Sequence, residues 1–206
     1  MARHSSLRSS AFAAIGFVAF ALGGCTATIP PVEVTRFHAE GPVVQSGGFL
    51  VEPASGQPDN SIEFRTYAGA VSQEMQRLGF VDEAGKQTFA ASQYVALLSY
   101  SRDVRSPMVS KSPVSVGVGG STGSYGSGIG LGIGIDLSGK PKDVVTTQLS
   151  VQIRRRADNA AIWEGRATTQ AKDGSPAAQP GIAAAKLASA LFSGYPGKSG
   201  ETITVK

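Results

Sequence analysis

The chain has 206 residues, of which 41% are apolar, 17% charged and 7% aromatic, and glycine supplies 26 of them. The charged fraction is too low for a disordered acidic or basic tail protein, and a single cysteine excludes a disulfide framework or a thiolate metal cluster. Two histidines, His4 and His38, leave little material for acid–base chemistry or a histidine metal site. The composition therefore predicts a folded protein without a cofactor or metal.

The N-terminal segment has the pattern of a secretory signal peptide. Residues 1–10 contain Arg3 and Arg8 and no acid, and an uncharged run follows from Ala11 to Leu22. As a helix this run would reach only about 18 Å, well short of the roughly 30 Å hydrocarbon core of a bilayer. The pattern predicts a cleaved signal peptide over residues 1–24.

Residues 22–25, Leu-Gly-Gly-Cys, resemble the lipobox of bacterial lipoproteins. The resemblance implies cleavage before Cys25, a diacylglyceryl thioether on its sulfur and a further acyl chain, such as palmitate, on the new amino group. Several acyl chains hold a soluble domain firmly on a bilayer. In enteric-type bacteria, an aspartate directly after the modified cysteine retains a lipoprotein at the inner membrane. Because Thr26 occupies this position, the resemblance implies transfer to the outer membrane. The alternative is an incidental thiol in an ordinary secreted protein.

Residues 25–206 are characterised by their net charge and by their number. Removing residues 1–24 takes two arginines and no acid from 19 basic and 15 acidic residues, which leaves a net charge of +2. So small a net charge does not indicate a surface that binds nucleic acid. We expect residues 25–31 to be a lipidated tether and residues 32–206 to form one domain.

The first predicted elements are two strands, Val32–His38 and Gly48–Pro53. A helix is predicted between Ser61 and Leu78, with Asn60 as its N-cap and Gly79 as its C-cap. Its apolar residues recur at steps of three and four and form one stripe: Phe64, Tyr67, Ala68, Val71, Met75 and Leu78.

The second half of the chain predicts a central strand, a hairpin and a second helix. Ser92–Arg102 is apolar on both faces, as a central strand is. In the hairpin, a three-residue loop would place Ile153 opposite Trp163, with Asn159 in the left-handed conformation, whereas a two-residue loop would place Ile153 opposite Glu164. The last helix is predicted over Pro180–Ser193.

Residues 117–139 hold ten glycines, and from 128 to 135 glycine alternates with isoleucine or leucine. The spacing does not match the G-x-G-x-x-G pattern of dinucleotide sites. One interpretation is a hairpin that extends the sheet, in which residues 117–126 are mobile and residues 129–135 form an ordered strand that reaches the core. The other is a surface for close approach of a partner chain or a membrane.

Chemical motifs are few. The sequence P-G-K-S-G at 196–200 lacks the glycine that a phosphate loop requires at position 192. The carboxylates are scattered, and His38 is interpreted as a strand-edge residue. The candidate contacts to an anionic surface are Arg154 and Arg156, which alternation sends to the same side. They either form a solvated strand end or meet the phosphate groups of lipids or lipopolysaccharide.

The whole predicted domain, about Val32 to Pro196, resembles domain-of-unknown-function family 4136, a family of Gram-negative envelope lipoproteins. The matching pieces are VTRFH, SIEFRTYAGAVSQEMQRLGF, SQYVALLSYS, the glycine-rich insertion, TTQLSVQIRRRADNAAIWEGRA and ALFSGYP. The resemblance implies an α+β domain with a mostly antiparallel, twisted sheet, two amphipathic helices on one face and a glycine-rich hairpin. It implies no catalytic residues.

The leading functional hypothesis is a non-enzymatic, lipid-anchored module for binding or envelope maintenance on the periplasmic face of the outer membrane. Its expected partners are the membrane, through acyl chains on Cys25, and a protein or envelope polymer. The alternatives are a hydrolase-like enzyme acting on envelope material and an accessory subunit of an envelope assembly machine. A deep pocket with converging polar groups would favour the enzyme, and a shallow surface would favour the binding module.

Overall fold

The computed structural model describes residues 30–58, 61–85, 92–107, 114–123, 126–135 and 142–206. The predicted signal peptide, Cys25 and most of the predicted tether lie outside these residues. None of the helices in the described part of the chain is long and apolar enough to cross a bilayer.

The described residues form an α+β fold with a mostly antiparallel seven-stranded sheet, two helices and a separate two-stranded ribbon, as predicted for the fold class. The sheet order is β3-β2-β4-β7-β8-β1-β9, and β2 runs parallel to both of its neighbours. The strands are β1 (Val32–His38), β2 (Gly47–Pro53), β3 (Phe80–Asp82), β4 (Tyr94–Arg105), β5 (Val114–Gly123), β6 (Gly126–Ile135), β7 (Val144–Arg155), β8 (Ala161–Lys172) and β9 (Thr202–Val205).

The helices are α1 (Ile62–Arg77) and α2 (Pro180–Phe192), and a short 3₁₀ helix precedes α2 at Pro176–Ala178.

The N-cap of α1 is Ser61, whose Oγ accepts a hydrogen bond from the Phe64 N–H at 2.9 Å. The predicted cap, Asn60, is one residue too early and lies outside the described residues. The C-cap residue is Leu78, and the predicted Gly79 comes directly after it with a φ of +103°, the left-handed conformation with which glycine ends a helix.

Both helices pack on one face of the sheet, because each has only one apolar stripe to bury. Their buried side chains join those of the central strands in one core. It includes Val71 and Met75 of α1, Leu187 and Leu191 of α2, Leu98 of β4, and Leu149 and Ile153 of β7.

The register of the β7–β8 hairpin is the predicted one in its core. Ile153 lies opposite Trp163, and Asn159 has a φ of +57°. Nearer the tip the register shifts between Ile153 and Arg154, so that Arg154 lies opposite Ala161. Burial of Ile153 beside Trp163 sets the register of the hairpin. The register shift between Ile153 and Arg154 then accommodates the extra residue on β8 near the tip.

The glycine-rich segment does not extend the main sheet, which corrects that expectation. Strands β5 and β6 pair with each other as a two-stranded sheet of their own. The reason is topological: the segment is inserted between β4 and β7, and these strands pair with each other as far as Arg105 and Val144. The insertion therefore leaves from the end of a ladder and not from a free edge.

The sequence does not predict two of the edge strands, β3 and β9. The three-residue β3 pairs with β2, and the C-terminal β9 pairs with β1. Both are too short for their period-2 pattern to be distinguished from that of a loop.

Candidate functional site

The sheet face opposite the helices carries a half-open concavity of about 510 Å³. On β7 its polar lining residues, Ser150, Gln152 and Arg154, alternate with core residues, because successive side chains of a strand point to opposite faces. Its charged residues are Arg154, Glu164 and Arg166, and its hydroxyl-bearing residues include Thr35, Ser99 and Ser150. The volume lies in the range of small-molecule and short-polymer sites.

A polar chain runs across one end of this concavity. Gln152 Nε2 donates to Glu164 Oε2 at 3.0 Å, and Arg154 Nε donates to Gln152 Oε1 at 2.6 Å. Arg154 Nη1 also donates to Asn159 Oδ1 at 3.4 Å. Arg154 is therefore oriented by neutral amides and makes no direct ion pair with Glu164 among the described residues.

Arg166 lies two residues after Glu164, on the same face of β8. Its backbone pairs with Ser150 on β7 and with Thr35 on β1, and the residue is exposed. Within the described part of the chain its side chain has no hydrogen-bond or ion-pair partner. The lining thus carries two arginines and one carboxylate, a local excess of positive charge.

Apolar surface adjoins the charged groups. Phe37 is 47% exposed at the end of β1 and lines the concavity together with Leu97. An aromatic ring beside arginines and hydroxyl groups suits an amphipathic ligand, with an apolar surface for one part and donors for the other.

The structure separates the two arginines predicted to act together. Arg154 lines the concavity, whereas Arg156 lies outside it, where its Nη2 pairs with Glu52 Oε1 at 2.7 Å and its Nε donates to Ser92 Oγ at 2.9 Å. The charge of Arg156 is therefore already compensated.

Arg155, which lies between these two arginines in the sequence, also has its charge compensated. Arg155 Nη1 pairs with Asp158 Oδ2 at 2.6 Å. A hydrogen bond from the backbone N–H of Ala160, followed by the one from Arg155, lowers the pKa of Asp158 below its usual value. Both residues are exposed and close the tip of the hairpin.

The groups able to act as acid or base do not converge on this concavity. His38 lies at the end of β1, where its Nδ1 is 3.1 Å from the Ala39 carbonyl oxygen, and it lines a smaller concavity of about 200 Å³. The described residues hold no cluster of three or more His, Cys, Asp or Glu side chains that could bind a metal. Glu164 is the one carboxylate among the described residues that line the larger concavity, and it accepts a hydrogen bond from Gln152. The arrangement suits recognition through charge and hydrogen bonds.

Sequence reasoning found Arg154 but missed Glu164, Arg166 and Phe37. Alternation along VEVTRFH places Phe37 on the face opposite Val34. Arg166 gave no such signal, because its neighbours Ser150 and Thr35 come from strands whose pairing the sequence does not specify.

The profile of a family described as "Domain of unknown function (DUF4136)" matches residues 36–197. An uncharacterized protein of Zymomonas mobilis is 29% identical, over 85% of this chain and 80% of that protein.

Two solved structures have a similar chain trace. A PDZ domain protein from Parabacteroides distasonis has a TM-score of 0.48 and 10% identity, and the match covers 85% of this chain and only 39% of that one. The chain thus spans less than half the length of that protein. The PelC dodecamer from Paraburkholderia phytofirmans has a TM-score of 0.39 and 11% identity, with 78% of this chain and 95% of that one covered.

Proposed function

The chain belongs to the DUF4136 family, and we propose that it is a lipid-anchored, non-enzymatic binding module of the bacterial envelope. Acyl chains on Cys25 hold it at the periplasmic face of the outer membrane. The concavity on the open face of the sheet binds an anionic envelope ligand, one that carries a phosphate or carboxylate group.

The observation that carries the binding proposal is the guanidinium of Arg166, which has no partner among the described residues and shares with Arg154 a concavity lined by hydroxyl groups. Arginine presents several N–H donors in a planar fork that matches phosphate and carboxylate oxygens. Arg166 can therefore accept an anionic group without first breaking a contact within the described protein. The hydroxyl groups of Ser99 and Ser150 supply further donors for it.

The anchor is tested by fractionating cells that express the whole protein. We expect membrane fractions to contain the protein acylated at Cys25, and the Cys25→Ser variant to accumulate as an unacylated precursor. Unmodified mature protein in the soluble periplasm would refute the anchor.

The ligand class is tested with a phosphorylated oligosaccharide and its dephosphorylated form, by calorimetry on the acylated protein in detergent. Arg166→Gln should weaken binding of the phosphorylated probe about tenfold, as expected for loss of a charged hydrogen bond. Arg155→Gln is the matched control, because it removes the same charge from an arginine outside the concavity that pairs with Asp158. Equal binding of the two probes, or equal losses in the two variants, would contradict recognition of phosphate by this site.

A further inference from the structure

We propose that the ribbon formed by β5 and β6 is a second membrane contact, which lies against the bilayer that carries the lipid anchor. The inference rests on the proposed anchor at Cys25 and assigns a role to the glycine-rich segment. It follows from the register of the ribbon, its lack of charge and its position at one end of the main sheet.

The register of the ribbon segregates two kinds of residue. Aliphatic positions lie opposite aliphatic positions in the pairs Val114–Ile135, Val116–Ile133 and Val118–Leu131. Glycine lies opposite glycine or serine in the intervening pairs, such as Gly117–Gly132 and Gly119–Gly130. Since faces alternate along a strand, these aliphatic positions fall on one face of the ribbon, and the intervening glycine and serine positions fall on the other, called the bare face below.

The ribbon has the uncharged composition of a lipid-contacting element. No charged residue occurs between Val114 and Ile135. Each strand has ten residues, which corresponds to about 34 Å. An isolated two-stranded ribbon is marginally stable in water, so a layer that covers its aliphatic face would stabilise it. A bilayer interface provides such a layer and leaves the bare face towards water.

The ribbon leaves the main sheet at the end where the predicted tether enters it. The β4–β7 ladder ends at the pair Arg105–Val144, from which the chain continues into the ribbon. Val32, the first residue of β1, lies opposite Thr169, and Thr169 lies opposite Thr147 near the start of β7. The carbonyl of Pro31 accepts a hydrogen bond from Thr169 Oγ1 at 2.9 Å, so Pro31, directly before β1, also lies at this end of the sheet.

The length of the tether then limits how far this end can be from the membrane. Residues 25–31 span at most about 24 Å when fully extended. The opposite end of the sheet, with Arg154, is farther away by nearly the length of β7, whose twelve residues rise about 40 Å. The anchor therefore keeps the root of the ribbon near lipid and leaves the anionic-ligand concavity towards the periplasm.

The test measures the depth of single positions in vesicles of phosphatidylethanolamine and phosphatidylglycerol, with the full mature, acylated protein. Cys25 is the one cysteine of the chain, and its thioether does not react with thiol probes. A fluorescent thiol label therefore attaches only to an introduced cysteine. The test variants are Leu131→Cys and Ile133→Cys, and the matched controls are Gly130→Cys and Gly132→Cys on the other face. Each labelled variant is checked for the thermal unfolding temperature of the parent.

We expect nitroxide lipids to quench most of the fluorescence at positions 131 and 133 and little of it at 130 and 132. Equal quenching on both faces, or none at 131 and 133, would overturn the proposal. Self-quenching between labelled copies without quenching by lipid would also overturn it, because a second copy would then cover the face. Labelling of the parent protein at Cys25 would instead show failure of the lipid anchor, which separates the two proposals.

Discussion

Arg36 donates from its Nε to the carbonyl oxygen of Leu191 at 2.8 Å, which joins the inner face of β1 to the C-terminal turn of α2. Its Nη2 donates to the Ala190 carbonyl, also at 2.8 Å. The last carbonyls of a helix have no partner within the helix, and they attract a cation through the helix dipole. Arg36 is only 5% exposed, and burial lowers the pKa of its guanidinium.

We therefore predict that Arg36→Met destabilises the protein by about 2 to 3 kcal/mol, the cost of losing charged hydrogen bonds and leaving buried carbonyls unpaired. Urea unfolding measures this free energy. Arg166→Met, an exposed arginine on the neighbouring strand, is the control and should unfold like the parent. Equal stability of both variants would show that Arg36 does not hold α2.

Gly165 marks a close approach of α2 to the sheet. A Cβ atom at this position would lie 2.6 Å from Trp163 Cη2 and 2.7 Å from Leu191 Cδ1. Gly165→Ala should therefore destabilise the fold by about 1 to 3 kcal/mol, as overpacking does. Gly69→Ala, in α1 with open space around the new methyl group, should be neutral or stabilising by up to about 1 kcal/mol. If thermal unfolding gave both variants the same shift, the close packing at Gly165 would be refuted.

Val71 tests the burial of α1, because its side chain is fully buried in the core beneath the helix. Val71→Asp would leave an uncompensated carboxylate there and should cost about 3 to 5 kcal/mol. Gln73→Asp on the exposed side of the same helix should change the unfolding free energy by less than about 1 kcal/mol. Melting of the Val71 variant at the parent temperature would mean that α1 is not packed on the sheet.

Tyr67 makes stability sensitive to alkaline pH. It stacks on Tyr100 with 4.5 Å between ring centroids, and its buried hydroxyl has no hydrogen-bond partner among the described residues. Burial, and secondarily the charge of Glu63, raises its pKa from 10.0 to about 12, while Arg102 acts in the opposite direction. The folded protein thus keeps this phenol neutral after the unfolded chain has ionised it.

The contribution of Tyr67 is complete below pH 10 and is lost as the pH rises from about 10 to about 12, with a slope of about 1.4 kcal/mol per pH unit. Tyr67→Phe should be neutral or slightly stabilising at neutral pH and should lose less stability above pH 10. Urea unfolding across this pH range measures both effects. An unchanged alkaline slope would contradict the assignment, since Tyr195, with a pKa also raised to about 12 by burial, would then account for it alone.

Local patterns predicted most of the secondary structure because the interactions behind them are short in sequence. The apolar stripe from Phe64 to Met75, the turn at Gly79 and the positive φ at Asn159 each depend on residues within a few positions. The pairing of Ile153 with Trp163 was also predictable, since a hairpin joins strands that follow each other and burial selects one register.

The sequence by itself determined the fold class, both helices, the central strand and the core of the hairpin. Only the tertiary structure decided that the glycine-rich ribbon stands apart from the main sheet and that Arg36 reaches the end of α2. It also decided that Arg156 pairs with Glu52, while Arg166 has no partner among the described residues. Arg36 and Leu191 are 155 residues apart. Contacts at such separations depend on strand order and helix packing, which no local pattern specifies, because the same alternation is compatible with many neighbours.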